Sequence, residues 1–292
     1  FVGAERALLF STGYMANLGV AGALLGRRDS LYEDRLNHAS LLDAAAIAGA
    51  RLRRYAHCDA AELERRLAGQ EGGEALIASD GVFSMDGDLA PLPALLDAAR
   101  RHGAWLLIDD AHGLGVLGRD GRGTLECLEA KPTGPLILMG TLGKAFGVFG
   151  AFVAGDEALI ETLIQAARTY VYTTAPPPAV AEAVRAALRL VEREAWRRER
   201  LAALVERFRA GAAQLGLPLM DSSTPIQPLL IGEAGQALAV SEGLRRRGIL
   251  VTAIRLPTVP RGSARLRITF SAAHQDEHLD RLLEALAAEV AS

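Results

Sequence analysis

Two lysines stand in a chain that otherwise uses arginine for its cations, and one of them, Lys144, occupies a position suited to chemistry. Lys131 lies in the turn-like stretch KPTGP, where any cation would serve. Lys144 lies in TLGKAFGVFGAFVAG, among glycines and apolar residues, directly after the strand-like run LILMG. An arginine there would stay protonated, whereas a desolvated lysine can lose its proton and form a Schiff base with an aldehyde. The alternative is a structural lysine whose stem packs while its head reaches water.

Further candidates follow other short apolar runs. Thr12, Gly13 and Tyr14 follow ALLFS, and Asn37 and His38 follow SLYED. Gly81 through Ser84 follow ALIASD. Asp109, Asp110, Ala111 and His112 follow AWLLI, and Thr141 precedes Lys144 after LILMG. In an open α/β sheet, ligands bind beyond the C-terminal ends of the strands, so five such ends in succession describe a site. A lysine imine to an aldehyde cofactor needs a partner that keeps the cofactor ring an electron sink. Asp109 suits that role, as a carboxylate opposite a protonated ring nitrogen; its alternative is a turn or helix cap. His112 could hydrogen-bond a phenolic oxygen and His38 could stack on the ring, or both could be ordinary loop histidines. Gly13 and Tyr14 open the helix-like stretch YMANLGVAGALLG, where free N–H groups bind phosphate; the alternative is a plain N-cap by Ser11 or Thr12.

These residues need a scaffold, and the chain supplies one. The apolar runs ALLFS, SLYED, ALIASD, AWLLIDD, LILMGTL and GAFVAG alternate with helical stretches such as LLDAAAIAGA, DAAELERRLAG and LPALLDAARRHG. That alternation predicts a mainly parallel sheet with helices on both faces, an α/β class fold. Three prolines in TTAPPPA stop any continuing helix. Beyond them, Trp196, Leu201, Leu204, Val205, Phe208, Ala212 and Leu215 recur at helical spacing. The character then becomes α+β: IQPLLIG, a helix through Arg247, ILVTAI, RLRITF, and a last helix from about Glu277. The stripe Leu279, Leu282, Leu283, Leu286 and Val290 reads as core. The expected organisation is a large domain over residues 1–175, and a long helix with a smaller α+β domain over 176–292. In RLRITF, alternation sets Arg265, Arg267 and Thr269 on one strand face, either as a carboxylate-binding pair or as a solvated ladder.

Three patterns read as decoys. Gly113, Gly115 and Gly118 match the dinucleotide fingerprint G-x-G-x-x-G, but RDGRGT follows where a helix should open. Gly143-Lys144 lacks the opening glycine and the following Ser or Thr of a P-loop. His274 and His278 have metal-ligand spacing, but without a clear third ligand they read as a solvated helix start, and no metal is expected. The cysteines Cys58 and Cys127 are too few and too isolated for a disulfide framework or a zinc site. A net charge of −3 gives no electrostatic case for nucleic acid. The cysteine usage fits a reducing cytoplasm, and no apolar run is long enough to span a bilayer, so a cytoplasmic, non-membrane protein is expected. The chain opens on Phe1, not methionine, and enters at once into ERALLFSTGYMAN, which reads as if a preceding segment were missing.

Taken together, DRLNHAS, GVFSMDGDLAPL, DDAHGLG, TLGKAFG and TAIRLPTVPRGSARLRITFSAAH resemble the α-oxoamine synthases. These are pyridoxal-phosphate enzymes of the aspartate-aminotransferase fold, fold type I. The similarity runs end to end in motif order, and FSMDGDLAPL and AIRLPTVP point to the biotin-pathway branch. The resemblance implies a three-layer α/β/α large domain and a smaller α+β domain. It implies that Lys144 holds pyridoxal 5'-phosphate and moves the proton at the substrate Cα. Asp109 would pair with the pyridinium, His112 would hold the phenolic oxygen and His38 would stack on the ring. Gly13, Tyr14, Ser84 and Thr141 would line the cofactor and its phosphate. Thr173 or Thr174 would reach a phosphate in the neighbouring subunit, so a homodimer with its active site at the subunit interface is implied. Arg267 would bind the amino-acid carboxylate, with Thr258 and Arg255 also toward substrate. The implied reaction condenses L-alanine with pimeloyl-CoA, or with the pimeloyl carrier-protein thioester, with loss of carbon dioxide. The competing readings are 2-amino-3-ketobutyrate CoA ligase, using glycine and acetyl-CoA, or a related synthase; a truncated remnant that folds without catalysing; and a nicotinamide dehydrogenase. Family members carry a further N-terminal segment that this chain lacks.

Overall fold

The computed structural model describes residues 1–290. Contacts divide the chain into two units, Phe1–Phe83 with Ala90–Ala195, and Ser84–Leu89 with the chain from Trp196 onward.

The first unit is built on a seven-stranded sheet ordered β1-β7-β6-β5-β4-β2-β3. The strands are β1 (Arg6–Phe10), β2 (Ser30–Asp34), β3 (Arg51–Tyr55), β4 (Ala75–Asp80), β5 (Trp105–Asp109), β6 (Leu136–Thr141) and β7 (Ala151–Gly155). Strands β2 to β6 pair in parallel, and β7 runs antiparallel to both its neighbours, β6 and β1. The helices between them are α1 (Gly13–Leu24), α2 (Ala39–Ala48), α3 (Ala60–Ala68) and α4 (Leu92–His102), with α5 (Glu157–Ala166), α6 (Arg168–Val171) and α7 (Pro178–Arg193) after the last strand. Strands covered on both faces should be apolar throughout, and alternate residues do divide between two cores. On β6, Ile137 and Met139 enter the core shared with α1, α2 and α5, while Leu136 and Leu138 enter the core shared with α3 and α4.

Strand β3 has no counterpart in the sequence reading. It is an edge strand of sequence RLRRY, exposed at four of its five positions, so it carries no apolar run to betray it. Helix α7 opens on a proline at its first turn, as the three prolines allow. Val184, Ala187, Leu188 and Val191 pack it on Leu114, Leu142 and Phe146, so by contacts it groups with the first unit, whereas the sequence reading divides the chain after residue 175.

The second unit holds α8 (Trp196–Gln214), β8 (Ile226–Gly232), α9 (Ala234–Arg246), β9 (Thr252–Ile254), β10 (Ala264–Thr269) and α10 (Asp276–Val290). Its three strands form an antiparallel sheet in the order β8-β10-β9. Leu204, Phe208, Leu244, Leu266, Leu279 and Leu286 are buried in one core, so the leucine stripe of α10 is internal as expected. Arg265 is not part of a solvated ladder. It is buried, and its guanidinium lies 2.6 Å from Asp86 of the Ser84–Leu89 segment. Ser222 Oγ and Thr224 Oγ1 donate to the Gly87 carbonyl of the same segment at 2.7 and 3.0 Å. His274 and His278 each accept a backbone N–H at the start of α10, from Ser271 and Gln275, which accounts for their spacing by capping. No helix among the described residues is long and apolar enough to cross a membrane.

Candidate active site

Parallel pairing brings the C-terminal ends of β2, β4, β5 and β6 to one edge of the first unit, and the titratable residues follow. Asp109 ends β5 and is buried. Its Oδ2 accepts from Asn17 Nδ2 at 2.8 Å and its Oδ1 from the Ala111 N–H at 3.1 Å. Burial raises its pKa, opposed by the Asn17 donor, the Ala111 N–H and the charge of Lys144. Asp80, at the end of β4, is pushed well above the usual carboxylate range, first by burial and then by the charge of Asp109. Two neighbouring buried carboxyls do not both ionise readily. Asp109 has the more donors, so it keeps the charge and Asp80 keeps the proton. Asp80 Oδ2 also accepts the His38 N–H at 3.0 Å, and Asn37 holds the adjoining backbone.

Lys144 lies in the tight connection between β6 and β7. Leu142 N–H donates to Gly150 O at 2.8 Å, Val148 N–H to Leu142 O at 2.9 Å and Gly147 N–H to Lys144 O at 2.9 Å. Thr141 is spent on the same loop: its hydroxyl donates to Gly150 O and accepts the Gly143 N–H. The Lys144 Nζ is 2.8 Å from His112 Nε2. Its charge reaches both Asp109 and Asp80.

Helix α1 starts at the same edge. Thr12 is its N-cap, accepting the Met15 N–H at 3.1 Å. The first N–H groups of a helix, here those of Gly13 and Tyr14, have no intrahelical partner. Position 13 has no space for a side chain without displacing Met139, whose Cε would lie 3.2 Å from a Cβ. The Tyr14 hydroxyl is hydrogen-bonded to Asp43. Of the glycines in the apparent dinucleotide fingerprint, Gly113 packs against Asp110, Gly115 against Ala145 and Gly118 against Glu126, and Gly123 beyond them also meets Asp110. A Cβ at Gly113 would lie 2.1 Å from its Oδ1 and one at Gly123 1.9 Å from its Oδ2. Asp110 accepts the Thr124 N–H at 2.7 Å, and burial pushes its pKa up to about 7.

Lys144, His112, Asp109, His38 and the Gly13–Tyr14 helix start therefore share one edge of the first unit. Thr173 and Thr174 lie in that unit too, lining an apolar groove of about 820 Å³ with Phe10, Phe149, Tyr170 and Val171. Ser84, Arg255, Thr258 and Arg267 belong to the second unit. There Arg267 Nε donates to Ser84 O at 2.6 Å, and burial lowers the Arg267 pKa. Arg255 and Thr258 sit in an exposed turn, where the Thr258 N–H donates to Arg255 O at 3.0 Å. Sequence reasoning missed Asn17, Ser40 and Asp80. The available signal was a polar residue on an otherwise apolar helix, four positions after Gly13. A cluster of Asp34, His57 and Cys58 has its atoms within 4.8 Å of one another, but the carboxylate is taken by Leu36 N–H, Cys58 N–H and His57, which makes it a turn anchor.

The donor set fits pyridoxal phosphate: an amine for an aldehyde, a buried anion for a ring N–H⁺, an imidazole beside the amine, and a side-chain-free helix start for a phosphate. The family model of the class I and II aminotransferases matches residues 1–286. An 8-amino-7-oxononanoate synthase from Thioalkalivibrio sulfidiphilus is 66% identical over 287 residues, 98% of this chain and 73% of that protein. Among solved structures, the 8-amino-7-oxononanoate synthase of Francisella tularensis matches with a TM-score of 0.87 at 33% identity, over 99% of this chain and 84% of that one. A serine palmitoyltransferase from S. paucimobilis with a bound PLP–myriocin aldimine matches with a TM-score of 0.93 at 30% identity, over 99% of this chain and 73% of that one.

Proposed function

Because the chain belongs to the class I and II aminotransferase family, and within it to the 8-amino-7-oxononanoate synthases, we propose that Lys144 holds pyridoxal 5'-phosphate in a site that condenses L-alanine with a pimeloyl thioester. Enzymes of this branch are pyridoxal-phosphate-dependent acyltransferases of biotin biosynthesis, of fold type I. The carrying observation is the Lys144 amine 2.8 Å from His112, within electrostatic reach of the buried Asp109.

When bound, the cofactor supplies an electron-withdrawing ring for the electrons released at the amino-acid Cα. The chain's residues divide the remaining work. Asp109, as an anion, keeps a proton on the ring nitrogen. Asp80, uncharged, accepts the His38 N–H and so fixes the backbone of the histidine that would stack on the ring. His112 orients the Lys144 amine and would hold the phenolic oxygen. Lys144 takes the Cα proton and returns one to the product after carbon dioxide is lost. Gly13 and Tyr14 would offer N–H groups to the phosphate, and Thr141 and Ser84 are assigned to the cofactor by resemblance. Arg267, whose Nε donates to Ser84 O within the second unit, is assigned to the alanine carboxylate by resemblance. Thr258 and Arg255 are assigned to substrate by resemblance.

We further infer a homodimer, with Thr173 or Thr174 reaching the partner's phosphate; the apolar groove beside these threonines supports it. The acyl carrier is CoA or a carrier protein, and the compartment is the cytoplasm. The test is an absorption spectrum with added pyridoxal phosphate, before and after borohydride, beside Lys144→Ala. A yellow band that borohydride fixes to the chain, absent in the variant, is expected. Turnover with alanine and pimeloyl-CoA, against glycine and acetyl-CoA, then separates this reading from the ligase. A band unchanged in Lys144→Ala overturns it.

A further inference from the structure

We propose that Asn17 and Ser40 are positioning residues that fix the His38 imidazole in its Nε2–H form and tie it to the Asp109 carboxylate. The argument is a count of donors and acceptors. Asn17 is fully buried on α1, with Nδ2 2.8 Å from Asp109 Oδ2 and 2.9 Å from Ser40 Oγ. Turning the amide over would set its oxygen against a carboxylate oxygen, acceptor against acceptor, so the nitrogen faces both neighbours. Both Nδ2 hydrogens are then used. Asn17 Oδ1 is buried without a hydrogen-bond partner among the described residues, a desolvation cost accepted to place the two N–H groups.

Ser40 Oγ accepts from Asn17, so its own hydrogen must go elsewhere. The remaining neighbour is His38 Nδ1, at 2.8 Å. The Ser40 backbone N–H is also directed at Nδ1, at 3.3 Å, where His38 serves as the N-cap of α2. Two donors on one ring nitrogen leave no place for a proton there. The neutral imidazole therefore carries its hydrogen on Nε2. The relay has one direction, from the Asn17 amide to Asp109 on one side and through Ser40 to His38 on the other.

One amide thus joins three elements: the helix whose start would hold the phosphate, the strand end that carries the anion, and the helix capped by the stacking histidine. That role rests on the function proposed above, whereas the tautomer does not. Protein labelled with ¹⁵N in histidine, with His38 assigned through His38→Gln, tests it by long-range ¹H–¹⁵N correlation. The expected pattern is an unprotonated Nδ1 and a protonated Nε2 in the wild type, a mixture of tautomers in Ser40→Ala, and recovery in Ser40→Thr. Cofactor affinity should fall roughly ten- to hundredfold in Asn17→Ala, which removes a donor to a charged group. Asn17→Asp, which keeps the shape but sets carboxylate against carboxylate, should lose as much and serves if the alanine variant does not fold. A wild-type His38 protonated at Nδ1, or an unchanged spectrum in Ser40→Ala, overturns the proposal. The tautomer is read without turnover, so failure of the condensation assay alone would count against the proposed reaction and leave this result standing.

Discussion

Buried acids govern the chemistry at the scale of single residues. Glu33 on β2 is fully buried, neither carboxylate oxygen has a hydrogen-bond partner among the described residues, and burial raises its pKa to about 8. Its folded pKa lies above the ordinary glutamate value of 4.5, so the favourable neutral form is fully present below that value. Stability is lost as pH rises from there through about 8. Glu33→Gln should therefore match the wild type in acid and gain over it as pH rises, levelling above pH 8. At about 1.4 kcal/mol per pKa unit the gain reaches several kcal/mol, readable by denaturant unfolding at three pH values. The two site carboxyls should respond unequally. Asp109→Asn removes the anion and should lower kcat by orders of magnitude, whereas Asp80→Asn replaces a group already uncharged and should cost far less; steady-state kinetics on both variants checks this. Lys144 stood out in the sequence because arginine dominates the chain and cannot do the chemistry proposed for it. Asn17 and Asp80 did not, because a polar residue buried by tertiary contacts looks in sequence like any helix or strand polar residue.

Among elements, the covered strands were legible as apolar runs, and their ends located Asp109, His112, His38 and Lys144. Strand β3 was not legible, because an edge strand of arginines has no burial to impose a pattern. Arg265 stayed open between a carboxylate pair and a solvated ladder for a related reason: its partner, Asp86, is 179 residues away along the chain. Breaking that pair by Asp86→Ala leaves a buried guanidinium and should destabilise the second unit by about 3–5 kcal/mol, seen as a lowered unfolding midpoint. Gly140 of β6 is packed as tightly. A Cβ there would lie 2.2 Å from Leu114 Cδ1 and 2.7 Å from Phe152. Gly140→Ala should cost about 1–3 kcal/mol in thermal or chemical unfolding, although it touches no ligand.

At the scale of the whole molecule, motif order along the chain was enough to read the fold class. The division into units was harder to read, because α7 and the Ser84–Leu89 segment are placed by packing with residues distant in sequence. The groove lined by Phe149, Tyr170 and Val171 is an apolar surface beside the two threonines, with Phe149 half exposed. If copies of the chain meet there, Phe149→Glu should shift sedimentation from dimer to monomer and lower cofactor-dependent turnover with it. One feature of the sheet also bears on how the chain comes to fold. The pairing of β6 with β7 spans a short loop, while β1 pairs with β7 through residues as distant as Arg6 and Gly155. Loop-closure entropy favours the local pairing. The hairpin that carries Lys144 can thus zip early, and the β1 edge must close late. Pulse-labelled hydrogen exchange during refolding should find the amides around Met139 and Val153 protected before those of Ala7 and Leu9.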